Sequence, residues 1–141
     1  MAEDIKKDSC VPVLESPFEQ IREVDAEGRE WWNSRSLARV MGYGKYWNFE
    51  RVIAKAQAWV SQKGYHLSEH FAEFTEMAEL GSGAVRAVES VRLSRTACMA
   101  IAMNADQKKT MVQAAKEFYA DTMTADVALR SMESTIIMYK V

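Results

Sequence analysis

The sequence predicts a single small α+β domain, built of β-hairpins and about five helices and ending in a C-terminal amphipathic helix. Three observations carry that prediction. Two stretches fold back around glycine turns: Ile21–Val24 with Arg29–Trp32, and Phe74–Leu80 with Val85–Leu93. Between and after them, apolar residues recur at three- and four-residue spacing, the period of a helix with one buried face. With 48% hydrophobic and 27% charged residues over 141 positions, the chain has the balance of an ordinary globular protein and the length of one domain.

Residues 1–16 are polar, contain Pro12 and show no periodicity, so they read as a flexible leader ahead of a domain over 17–122 and a helical tail over 123–141. The start of the chain has no apolar core of the kind a secretory signal needs. The first hairpin turns at Asp25-Ala26-Glu27-Gly28, where Gly28 suits the left-handed position. Ser34 is placed to cap a short helix carrying Leu37, Val40 and Met41, stopped by Gly42. A longer helix follows over Tyr46–Gln62, with Phe49, Val52, Ile53, Ala56, Trp59 and Val60 on one face and Gly64 beyond its end. Helix, tight turn and helix with a basic surface are compatible with a helix-turn-helix-like unit.

Ser68–Ala72 reads as one more helical turn. Phe74, Met77 and Leu80 lead into Gly81-Ser82-Gly83, and Val85, Ala87, Val88, Val91 and Leu93 lead out. Ser94 is a suitable N-cap for a helix to Asn104, with Ala97, Cys98, Ile101 and Ala102 facing inward. Asp106 caps the next, whose stripe is Met111, Ala115, Phe118 and Tyr119. The last, from Thr124 to Tyr139, carries Val127, Met132, Ile136 and Ile137 on one face, an apolar stripe suited to pairing two copies into a homodimer.

No run approaches the roughly 18 apolar residues of a membrane helix, so no membrane partner is expected. The two cysteines, Cys10 and Cys98, lie in unlike contexts and suggest a reduced, cytoplasmic protein rather than a disulfide framework. The net charge of −2 argues against non-specific coating of nucleic acid. The charge is unevenly spread, however. Residues 1–30 hold nine acidic and four basic side chains, whereas residues 34–65 hold six basic and one acidic. Such a local basic face is what phosphate contact needs, and it is also what a solvated helix pair shows.

No catalytic set is complete and no cofactor is expected. His66-Leu67-Ser68-Glu69-His70 matches H-x-x-E-H, in which two histidines one turn apart hold zinc. Here the motif follows Gly64, with no established helix to present both rings, and no third ligand accompanies it; no metal site is assigned. Cys98 sits on an apolar helical face without a histidine partner and reads as a buried small hydrophobe. Gly81-Ser82-Gly83 lacks the lysine and the strand-to-helix setting of a phosphate loop. The candidate site is instead the basic aromatic helix pair. Arg35, Arg39, Lys45, Arg51 and Lys55 are candidate phosphate contacts, and Tyr43, Tyr46 and Trp47 candidate stacking groups for unpaired bases. Tyr46 and Trp47 could equally pack beneath the hairpin.

An ordered series of segments carries a family likeness. It runs from Phe18-Glu19-Gln20-Ile21-Arg22 through Trp32-Asn33-Ser34-Arg35-Ser36-Leu37-Ala38, Met41-Gly42-Tyr43, Trp47-Asn48-Phe49 and Val52-Ile53-Ala54-Lys55-Ala56. It continues through His70-Phe71, Glu79-Leu80-Gly81-Ser82-Gly83-Ala84, Leu93-Ser94-Arg95, Ala102-Met103-Asn104 and Ala114-Ala115-Lys116-Glu117-Phe118-Tyr119-Ala120. In these segments the chain resembles the N-terminal half of the bacterial DNA-damage-inducible protein D family and, more distantly, the Bro-N domain of phage and viral antirepressor-type proteins. It departs from the family at Thr96-Ala97-Cys98-Met99, which is poorer in aromatics, at Ala105 in place of glycine, and at Lys109-Thr110, where a proline is usual. The resemblance implies a stand-alone or divergent Bro-N-like domain, carried by a mobile element or prophage. It also implies a non-enzymatic regulator tied to DNA damage and recombination, whose partner is DNA, single strands included, or a DNA-bound protein. The alternative is a protein-interaction module that modulates a recombinase filament or repressor without touching DNA, which the acidic leader and apolar tail favour.

Overall fold

A computed structural model describes residues 16–79 and 81–120. Ser16 accepts a hydrogen bond from the Phe18 N–H at 3.1 Å and opens helix α1, Pro17–Gln20. Strands β1, Arg22–Val24, and β2, Glu30–Asn33, form the first expected hairpin. Asp25 holds its turn by accepting from the backbone N–H groups of Glu27 and Arg29, and Gly28 takes φ +82°.

Helix α2 spans Ser34–Val40, and here the structure corrects the expected cap. Asn33, not Ser34, is the N-cap; its Oδ1 accepts from the Arg35 N–H at 2.8 Å. The strand runs one residue further than the helical pattern suggests, so Ser34 becomes the first helical residue and is fully buried. Helix α3 spans Tyr46–Gln62, as the periodicity predicts, and the chain leaves it through Gly64 at φ +88°. The next turn, α4, covers Leu67–His70 rather than 68–72, so Ser68 lies inside it and His66 precedes it as N-cap. Phe71 is already committed to the sheet because it pairs with Leu93.

Strands β3, Phe71–Glu79, and β4, Val85–Leu93, form the second hairpin, and Ser94 caps helix α5, Arg95–Asn104, by accepting from the Ala97 N–H at 3.0 Å. Asp106 does not cap the following helix directly. It accepts from the Lys108 N–H at 3.0 Å in an Asx turn, and helix α6 starts at 110 and is described to 120. The described helices therefore number six, one more than expected. The tail helix expected over Thr124–Tyr139, the leader over 1–15, Leu80 and any dimer contact through the tail lie outside the described residues.

The architecture is α+β: one antiparallel sheet in the order β1-β2-β4-β3, with helices packed on one face. Trp32, Leu93 and Phe71 stand abreast across β2, β4 and β3 and point into the core. They meet Leu37, Met41, Phe49, Ile53 and Ile101, while Tyr119 of α6 meets Trp32 edge to face at 5.2 Å. Glu30 ties the far end of the sheet to the helices, bridging Arg22 of β1 at 2.9 Å and Arg95 of α5 at 2.5 Å. Beyond Trp32↔Leu93 and Asn33↔Arg92, β2 departs and the β3–β4 hairpin projects as a two-stranded arm.

Candidate nucleic-acid interface

The eight candidate residues fall into two groups. Tyr43 and Tyr46 are half-buried, both against Phe49, with ring centroids 5.1 and 6.3 Å away. The Tyr43 hydroxyl accepts from the Asp106 N–H at 2.9 Å and so ties the α2–α3 turn to the start of α6. The Tyr46 hydroxyl lies 2.6 Å from Ser34 Oγ, and the guanidinium of Arg35 rests 4.0 Å over the Tyr46 ring. Burial pushes the Tyr46 phenol up, with the Ser34 hydrogen bond and the Arg35 charge opposing. Both tyrosines thus hold the helix pair together.

Arg35 donates to the Glu89 carbonyl at 2.9 Å and to Ser90 Oγ at 3.1 Å, clamping α2 onto β4 where β2 has left the sheet. Ser34 completes the substitution: its Oγ accepts from the Val91 N–H at 2.9 Å, a backbone donor that β2 no longer serves. Glu76 collects the other side of this junction, accepting from Asn33 Nδ2 at 2.9 Å and from the Ser90 hydroxyl. Burial raises the Glu76 carboxyl, but those two hydrogen bonds, with the charges of Arg35 and Arg39, hold it below the usual carboxylate range. Arg39 is exposed on the same side and donates to Ser36 Oγ at 3.4 Å. Periodicity could not reveal this network, because it joins residues about 55 positions apart in the chain.

The second group is different. Trp47, 57% exposed, begins an outward stripe on α3 that continues through Arg51 and Lys55 at four-residue steps. Lys45 sits 5.0 Å over the Trp47 ring. Among the described residues, Lys45, Arg51 and Lys55 form no ion pair, so their charge is directed at solvent. An exposed indole flanked by three uncommitted cations can stack a base and hold adjacent phosphates.

The alternative chemistries find no support in the geometry. His70 Nδ1 is 2.7 Å from Ser94 Oγ, its ring meets Tyr65 edge to face, and His66 flanks α4 as its N-cap residue. Among the described residues no three His, Cys, Asp or Glu side chains gather as a metal would require. Cys98 is fully buried, and burial pushes its thiol well above the ordinary range, the reverse of what a nucleophile needs. Among the described residues no helix is long and apolar enough to cross a membrane.

Compared with known proteins, the chain is similar to DNA damage-inducible protein D of Escherichia coli strain K12, at 35% identity over 104 residues. That alignment takes in 74% of the chain, which spans only 38% of the relative's length. No family model matches the chain. No solved structure gives a significant match.

Proposed function

We propose that the chain, 35% identical over 74% of its length to DNA damage-inducible protein D, serves the DNA-damage response as a non-enzymatic regulator that contacts DNA through the outer stripe of α3. One observation carries the DNA contact: Trp47 lies exposed among Lys45, Arg51 and Lys55, none of which is neutralised by a described carboxylate. Arg39 extends the positive surface. Tyr43 and Tyr46 position the stripe, and Arg35 lends positive charge to its margin. Single strands suit the arrangement better than duplex, because an indole needs an unpaired base to stack on.

Fluorescence anisotropy against single- and double-stranded oligonucleotides across a salt series tests the proposal. Trp47→Ala is expected to weaken single-strand binding. Replacing Arg51 and Lys55 by Gln removes two phosphate contacts and lowers the log–log salt slope by about 1.4, at ~0.7 per contact for single strands. Absence of binding at low salt overturns this reading.

The second reading, a protein-interaction module, is favoured by the projecting hairpin. Met77 is 65% and Val85 59% exposed near its tip, on an arm that also carries Glu73, Glu76, Glu79 and Glu89. Such a surface repels DNA and suits a protein, which in this family context would be a DNA-bound one such as a recombinase filament or repressor.

A further inference from the structure

A separate site lies on the sheet face turned away from the helices. Strand alternation places Trp31 of β2, Arg92 of β4 and Phe74 of β3 on that face, opposite the buried Trp32, Leu93 and Phe71. The Arg92 guanidinium sits 4.4 Å over the Trp31 ring and 5.2 Å from Phe74, and the two rings meet edge to face at 6.0 Å. Among the described residues the Arg92 guanidinium makes no hydrogen bond and no ion pair. Aromatic surfaces hold the exposed cation in place while its donors stay open to solvent.

Trp31 and Arg92 of this stack line a cleft of about 540 Å³, within the ~300–1,000 Å³ range of small-molecule sites. The β1–β2 turn supplies Arg29 and Asp25 to the cleft wall, and α4 supplies Glu69 and His70. The end of the H-x-x-E-H segment, Ser68-Glu69-His70, thus lines the cleft. The other arginine of the cleft, Arg29, is 77% exposed and shared between Asp25 at 3.6 Å and Glu27 at 3.9 Å, so an incoming anion competes for it easily. The cleft therefore offers a planar cation stacked on aromatic rings with open donors, a second, loosely paired cation, an aromatic wall, and the Glu69 carboxylate as an acceptor for hydroxyl or amino groups.

We propose that this cleft binds a nucleotide, its phosphate held by Arg92 and Arg29 and its base or sugar seated against Trp31 and Glu69. A free mononucleotide and the phosphorylated end of a nucleic-acid strand present the same chemistry. The site is independent of the α3 stripe, so either can fail without the other.

Calorimetry on the full chain at low salt tests it with adenosine monophosphate, adenosine and inorganic phosphate. The monophosphate is expected to bind at least tenfold more tightly than either fragment. Arg92→Gln, an exposed substitution, is expected to weaken it at least tenfold with an unchanged melting curve, and Arg29→Gln to weaken it less. The double Arg51→Gln, Lys55→Gln variant keeps nucleotide affinity, whatever it does to strand binding. Oligonucleotides with and without a 5′-phosphate separate the sources: a phosphate-dependent gain lost in Arg92→Gln assigns a strand end, and no such gain assigns the free nucleotide. No heat with millimolar monophosphate, equal affinity for inorganic phosphate, or wild-type affinity in both arginine variants overturns the proposal.

Discussion

Ser34 shows how one hydroxyl can decide a junction. Its Oγ satisfies the Val91 N–H at 2.9 Å and meets the Tyr46 hydroxyl at 2.6 Å, all within a fully buried side chain. Replacing it by alanine orphans a backbone donor at the very point where β2 stops covering β4. Ser34→Ala is therefore expected to cost about 1–3 kcal/mol in urea unfolding, the price of a buried group left without a partner. On a Tyr46→Phe background the same change should cost less, because one of the two orphaned groups is already gone. Additive losses in that cycle would show that Ser34 and Tyr46 do not act together. Arg35 makes the related point for charge: its place in a basic run suggested phosphate contact, yet its guanidinium is spent on Ser90, the Glu89 carbonyl and the Tyr46 ring.

Among the elements, α3 is the one that carries the proposed interface, and its geometry depends on how the chain enters and leaves it. Gly64 ends it at φ +88°, with open space where a Cβ would sit, and its N–H donates to the Ser61 carbonyl at 3.0 Å. Gly44, at the entrance, also faces open space but has no positive φ. Alanine at 64 should lower stability by about 1 kcal/mol from backbone strain alone. Alanine at 44 should be neutral or slightly stabilising, since it only restricts the unfolded chain. Thermal melts of the two variants check this, and equal shifts would remove the backbone explanation. The start, end and inward face of α3 were all legible in the sequence, since local period and a terminal glycine specify them. The cap of α2 was not. Asn33 and Ser34 are both good capping residues, and only the pairing of Asn33 with Arg92 across the sheet decides that the strand takes Asn33 and leaves Ser34 to the helix.

On the scale of the whole molecule, two glutamates link distant elements and should make stability depend on pH. Burial pushes Glu30 up, but hydrogen bonds from Arg95 and Arg22 outweigh it, and Glu76 is likewise held low against its own burial by Ser90 and Asn33. A carboxyl with a lowered folded-state pKa binds its proton less readily when folded than when unfolded. Its contribution is present above the ordinary glutamate value of about 4.3 and drains away as pH falls through that value toward the folded one. The urea midpoint should accordingly drop on acidification below that value, and Glu30→Gln should flatten the drop while lowering stability at neutral pH. An acid limb unchanged in Glu30→Gln would place the loss elsewhere.

By itself the sequence determined the α+β class, both hairpins, the spans of α3 and α5, and the likeness to DNA damage-inducible protein D, because these follow from local period, turn chemistry and the order of short segments. Which basic and aromatic side chains remain available was decided only in three dimensions. Tyr43 and Tyr46 were drawn into packing and Arg35 into the strand–helix junction, whereas Trp47, Arg51 and Lys55 were left outside. The Trp31–Arg92–Phe74 stack likewise exists only because three strands distant in sequence register side by side. Periodicity reports which face of an element turns inward; the partner waiting there is set by pairing between segments far apart in the chain, and that pairing decides which charges stay free to bind.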